Sequence, residues 1–120
     1  MAGGMVMVVD DDASIREMVV EVLAMEGFAV VGARNGEEAL RRLRQGELRP
    51  SLILLDLMMP VMDGWQFRAE QLQDPALARI PVVVTSAVAN SDMHADGYCE
   101  KPFDWGALLS AVTRFATPRC

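Results

Sequence analysis

SLILLDLMMPVMDGW, residues 51–65, holds the most strongly apolar run of the chain and ends that run on a carboxylate. Ser51 to Leu55 places apolar side chains at successive positions. A strand wetted on one face would alternate, so this run suits a parallel strand covered on both sides. Asp56 closes it. Pro60 and the Asp63-Gly64 pair then mark a loop and turn, and the spacing predicts a helix beginning near Trp65.

The same alternation extends in both directions. Towards the N-terminus, Met5 to Val9 (MVMVV) is expected as a buried strand, and Ser14 to Met25 carries Ile15, Met18, Val19, Val22 and Leu23 at helical spacing. Ser14-x-x-Glu17 resembles a capping box, with Asp12 as the competing N-cap. Phe28 to Val31 is a second strand, and Asn35 opens a helix whose Ala39, Leu40 and Leu43 share a face. Towards the C-terminus, Ile80 to Val84 is a fourth strand and Gly97 to Glu100 a short fifth. A last helix follows, capped by Asp104 and burying Leu108, Leu109, Val112 and Phe115. Five strands alternating with helices imply a doubly wound parallel α/β sheet with helices on both faces.

At 120 residues, 52% of them hydrophobic, the chain fits one domain spanning 1–120 with ample material for a core. Its 11 Lys+Arg against 17 Asp+Glu give a net charge of −6, the wrong sign for neutralising phosphates, so no direct nucleic-acid partner is expected. No apolar run reaches the roughly 18 to 20 residues of a membrane span, and the start Met1-Ala-Gly-Gly carries no signal-peptide pattern. We therefore expect a cytoplasmic protein, a complete chain, and free thiols at Cys99 and Cys120.

In open α/β sheets ligands bind beyond the carboxyl ends of the strands. Strand one ends in Asp10-Asp11-Asp12, strand three in Asp56, strand four in Thr85-Ser86, and strand five just before Lys101-Pro102. Three carboxylates converging at one edge repel one another, and a hard dication with oxygen ligands relieves this. Mg²⁺ (or Mn²⁺) fits, since it takes one or two carboxylates and bridges to a phosphoryl oxygen. Lys101 adds a compact positive charge and Thr85 a hydroxyl donor. Together they would stabilise an in-line phosphoryl transfer to a carboxylate.

VVDDD (8–12), LLDLMMPVMDGW (54–65), VVVTSA (82–87) and GYCEKPF (97–103) together resemble the four signature segments of response-regulator receiver domains, in order and over nearly the whole chain. The resemblance implies a flavodoxin-like sheet with strand order 2-1-3-4-5, and a two-component switch more than a metabolic enzyme. Asp56 would be the phosphoacceptor. Asp10, Asp11, Asp56 and the Met58 carbonyl would hold the metal, with Asp10 acting largely through water. Thr85 and Lys101 would bind phosphoryl oxygens, and Thr85 with Tyr98 would form the switch pair. Pro60 and Gly64 would shape the loop after Asp56. The phosphoryl donor would be the phosphohistidine of a histidine kinase or phosphotransfer protein docking on the first helix near Ile15 and Met18, and the output an unidentified protein target.

Simpler roles account for other residues. Asp12 is expected as a helix cap, Met58, Met59 and Met62 as loop packing, Trp65 and Trp105 as local packing, and His94 as solvated. The chain also departs from the family: Thr85 and Lys101 are only 101 − 85 = 16 positions apart, so the fourth helix, over 88–96, is expected to be short or absent. Met58 and Ala87, each two residues past a site residue, carry no polar group that could assist hydrolysis of an acyl phosphate. The alternatives are a receiver detached from a hybrid kinase or larger regulator, a small haloacid-dehalogenase-like phosphatase, and a nucleotide or flavin module. The phosphatase would place its nucleophile after the first strand. The module would need a glycine-rich phosphate loop, and none is present.

Overall fold

The computed structural model describes residues 4–46, 48–87 and 94–116. In chain order the elements are β1 (Met5–Val9), α1 (Ala13–Met25), β2 (Ala29–Ala33), α2 (Gly36–Arg44), β3 (Leu52–Asp56), α3 (Gly64–Gln73), β4 (Val82–Ser86), β5 (Gly97–Glu100) and α4 (Trp105–Ala116). All strand pairs are parallel, in the order β2-β1-β3-β4-β5. The chain order thus reverses between β1 and β3, which sets a crevice above their carboxyl ends.

Each central strand sends successive side chains to opposite faces, which explains the unbroken apolar runs. Met7, Val9, Ile53, Leu55, Val82 and Val84 pack with Leu40 and Leu43 of α2 and Phe67 of α3. Val6, Val8, Leu52, Leu54 and Val83 pack on the other face with Val19 and Leu23 of α1 and Leu108 and Val112 of α4. Leu109 and Phe115 join that layer partly buried. Removing one of these fully enclosed leucines to alanine costs about 2–5 kcal/mol, so two such layers hold the strand ends in fixed register.

Helix starts follow local chemistry. The Asp12 carboxylate accepts from the N–H of Ile15, so Asp12 is the N-cap and the Ser14–Glu17 capping box does not form: with Ala13 already helical, Ser14 lies inside the first turn. Asn35 caps α2, and Asp63 with Gln66 forms a reciprocal capping box on α3. Asp104 accepts from the N–H groups of Gly106 and Ala107 at the start of α4.

Three strands differ in their bounds from the sequence expectation: β2 runs on to Ala33, and β3 is shifted by one residue to Leu52–Asp56. β2 begins at Ala29 because the Phe28 N–H returns to the Leu23 carbonyl and closes α1. β4 runs over Val82–Ser86, two residues later than expected; Pro81 has no N–H for the ladder and contributes only its carbonyl, to Ile53.

Of the segment 88–96, residues 88–93 lie outside the described residues, so the expectation of a shortened fourth helix falls mostly there. Residues 94–96 are not helical, and four helices accompany the sheet among the described residues. These three residues are tied down by main-chain contacts. Asp96 exchanges hydrogen bonds with Val82, its N–H to the Val82 carbonyl and its carboxylate from the Val82 N–H. Arg68 of α3 donates to the His94 carbonyl and lies 4.0 Å from Asp96. The same guanidinium donates to Gln71, whose buried amide donates to the carbonyls of Leu77 and Ile80.

Met59 and Met62 pack against the core as expected, whereas Met58 is 62% exposed and does not. Trp105 packs on Phe103 with ring centroids 5.5 Å apart, and His94 is exposed. Cys99 is a free, half-buried thiol whose pKa is pushed up by burial; Cys120 lies outside the described residues. Among the described residues no helix is long and apolar enough to cross a membrane.

Candidate phosphoacceptor site

β1 and β3 are neighbours with Val9 opposite Leu55, so the residues that follow, Asp10 and Asp56, stand side by side at the crest of the sheet. Asp11 is the next residue along. One carboxylate oxygen from each of Asp10, Asp11 and Asp56 lies within 4.8 Å of the others, with Asp10 and Asp56 buried and Asp11 exposed. Lys101 follows β5 and reaches back over the crest, anchored by its own N–H to the Ser86 carbonyl at 2.9 Å. Its Nζ lies 2.6 Å from Asp10 Oδ2 and 3.5 Å from Asp56 Oδ2. These side chains border an open cleft of about 260 Å³, together with Asp12, Ile15, Met58, Ser86 and Ala87.

Electrostatics set Asp56 apart. Burial, then the neighbouring Asp10 charge, push its carboxyl from the ordinary 3.8 up to about 6, against the opposing pull of Lys101 and of a backbone hydrogen bond at Met58, while Asp11 adds a smaller push upward. One lysine thus does not offset the crowding, and a further cation at the three carboxylates would. The oxygen-only donors and the partly open cleft suit a small hard dication.

The loop leaving Asp56 is tightly turned. Gly64 N–H returns to the Leu57 carbonyl at 2.9 Å, and Met62 N–H to the Pro60 carbonyl at 2.7 Å, a three-residue turn that holds Val61 at φ 69°. A Cβ on Gly64 would lie 2.7 Å from the Asp56 carbonyl oxygen and 2.8 Å from Leu57 Cα, so the start of α3 can approach the end of β3 this closely only with glycine.

The structure brings Asp10, Asp11, Asp56, Met58 and Lys101 together as the sequence suggested. Thr85 is the register partner of Asp56 on β4 and is buried, and the next residue, Ser86, also buried, borders the cleft. Tyr98 lies on β5 opposite Val84, 53% exposed.

A 2-1-3-4-5 parallel sheet whose crest gathers three carboxylates and a lysine defines a flavodoxin-like domain built around an acidic pocket. The response regulator receiver domain model matches residues 6–113, and this chain belongs to that family. Receiver domains are phosphorylated by histidine kinases and bind Mg²⁺ at such a pocket.

The chain is 39% identical over 114 residues to the DNA-binding response regulator MtrA of Mycobacterium tuberculosis, covering 89% of this chain and 48% of MtrA. Among solved structures it resembles the receiver domain of a signal transduction histidine kinase from Syntrophus aciditrophicus (30% identity, TM-score 0.85, 93% of this chain and 89% of that one). It also resembles the response regulator TrrA of Thermotoga maritima in complex with Mg²⁺-BeF (31%, TM-score 0.82, 93% and 98%). The chain spans about half the length of the curated relatives it matches. Family membership leaves no place for the phosphatase and nucleotide-module alternatives.

Proposed function

We propose that the chain accepts a phosphoryl group on Asp56 from the phosphohistidine of a histidine kinase or phosphotransfer protein. An Asp56 oxygen attacks phosphorus, the P–N bond breaks, and the imidazole, already protonated on its other ring nitrogen, leaves neutral. When bound, Mg²⁺ would neutralise the carboxylates and the incoming phosphoryl oxygens. Asp11, Asp56 and the Met58 carbonyl would hold it directly. Asp10 has both carboxylate oxygens occupied, by Lys101 Nζ and the Asp12 N–H, and would act through water. Lys101 would bind one phosphoryl oxygen and the hydroxyl of Thr85, the register partner of Asp56, another, with Tyr98 responding to the movement of Thr85.

The observation that carries this proposal is the buried, upshifted Asp56 beside two further carboxylates and one lysine, a charge imbalance that a dication and a phosphoryl group would use. Phosphotransfer from candidate kinases, run with Asp56→Asn, Ser86→Ala and Thr85→Ala, tests it. Label is expected on the wild type only with Mg²⁺ or Mn²⁺, to be absent from Asp56→Asn, and to be slowed by Thr85→Ala more than by Ser86→Ala. Label persisting on Asp56→Asn overturns the assignment.

A phosphohistidine donor places the chain in the cytoplasm, acting on a protein target rather than, at −6 net charge, on nucleic acid through this domain. A receiver module within a larger regulator is the second reading, favoured by the half-length coverage of relatives and by the histidine-kinase receiver among its structural neighbours.

A further inference from the structure

Asp10 has no freedom left. Its N–H continues the ladder to Ala33, its Oδ1 accepts from the Asp12 N–H, and its Oδ2 accepts from Lys101. Its carbonyl lies beyond the last rung shared with β2, where no strand N–H remains to meet it, and Asp10 is only 2% exposed. The missing donor comes from a helix: Arg16, in the first turns of α1, donates from Nη1 to that carbonyl at 2.8 Å.

The route to it runs across β2. Arg16 lies over Gly32, where a Cβ would stand 3.1 Å from Arg16 Cδ and 3.3 Å from Cγ, so any side chain at position 32 would press on the arginine stem, and a branched one most. From α2, Arg42 Nη1 donates to the Gly32 carbonyl at 2.6 Å and holds that strand residue in place.

We propose that Arg16, passing through the gap at Gly32, is a positioning residue for the cation pocket: it fixes the peptide joining Asp10 to Asp11 and thereby aims the exposed Asp11 carboxylate at the site. This rests on the acidic pocket being the cation site. Two possible roles of Arg16 predict opposite signs. A guanidinium acting only as a nearby positive charge repels a dication, so its removal tightens binding. One that positions a ligand weakens binding on removal, by about 10–100-fold for groups that orient metal ligands.

The test is Mn²⁺ binding to the full chain, counted by the loss of the free-ion electron paramagnetic resonance signal and repeated in competition with Mg²⁺, in variants whose fold is checked by circular dichroism. Arg16→Met keeps most of the apolar stem and removes the donor; about a tenfold rise in Kd is expected. Arg16→Lys keeps the charge and one donor, and should fall between. Gly32→Val keeps the arginine but closes its path on an edge strand that tolerates branched residues, and should match Arg16→Met. The double variant should be no worse than either single one. An unchanged or lowered Kd in Arg16→Met, with the wild type binding Mn²⁺, overturns the positioning role alone. A wild type that binds no Mn²⁺ overturns the pocket assignment with it.

Discussion

Replacing Asp56 with asparagine should make the metal-free protein more stable, and the gain should depend on pH. The unfolded carboxyl titrates near 3.8 and the folded one near 6. Between those values the folded state binds more protons than the unfolded state, so stability falls as pH rises through the window; below 3.8 the deficit is absent, and above about 6 it is constant. At about 1.36 kcal/mol per tenfold change in acidity, the full deficit is about 3 kcal/mol, and the opposing pull of Lys101 is already contained in it. Set against the roughly 5–15 kcal/mol that stabilises a typical domain, this is a large fraction.

Urea denaturation of wild type and Asp56→Asn in EDTA should therefore differ by about 2–3 kcal/mol at pH 7.5 and by about half that at pH 5. Saturating Mg²⁺ should narrow the gap at pH 7.5, because a ligand at a hundred times its Kd stabilises the wild-type native state by about 2.7 kcal/mol. Equal stabilities at pH 7.5 in EDTA would refute the electrostatic account of Asp56. A gap of the same size at both pH values would show that packing, not charge, is responsible.

Val61→Gly should raise the unfolding free energy by about 1 kcal/mol, and with it the urea midpoint, since a branched residue at φ 69° is strained by about 1–3 kcal/mol and glycine offsets only part of that gain through chain entropy; a lower midpoint would count against strain in the turn. Gly64→Ala should cost about 2 kcal/mol or more and slow phosphorylation, because the clashing atoms are backbone and cannot step aside; wild-type midpoint and rate would contradict this. Gln71→Leu should cost about 2–3 kcal/mol by leaving the carbonyls of Leu77 and Ile80 without their donor, which thermal unfolding would register. The phosphorylated form should last minutes or longer, since Met58 and Ala87 border the cleft and neither side chain can orient a water; loss of labelled phosphate within seconds would contradict that.

Apolar periodicity made the sheet and its order of elements legible, because strands buried on both faces leave continuous runs such as Leu52 to Leu55. Strand ends were less so: β3 and β4 each run past the apolar run that marks them, through Asp56 and Ser86. Asp10, Asp11, Asp56 and Lys101 could be placed from sequence because each lies at a strand end or within two residues of one. Arg16 could not. Its role depends on a gap in another strand at Gly32 and on a carbonyl left over where the ladder stops, and neither leaves a pattern in the local sequence.

The attachment of residues 94–96 has a consequence for how this domain could be altered. Arg68 grips a main-chain carbonyl at His94, and Asp96 closes on the backbone of Val82, so the return into β5 is secured at its own end. A flexible segment inserted ahead of His94 would leave these anchors in place, and its own closure entropy grows only by about 0.6 kcal/mol for each doubling of its length. An insertion there is therefore expected to keep β5, and with it Lys101, in register beside Asp56.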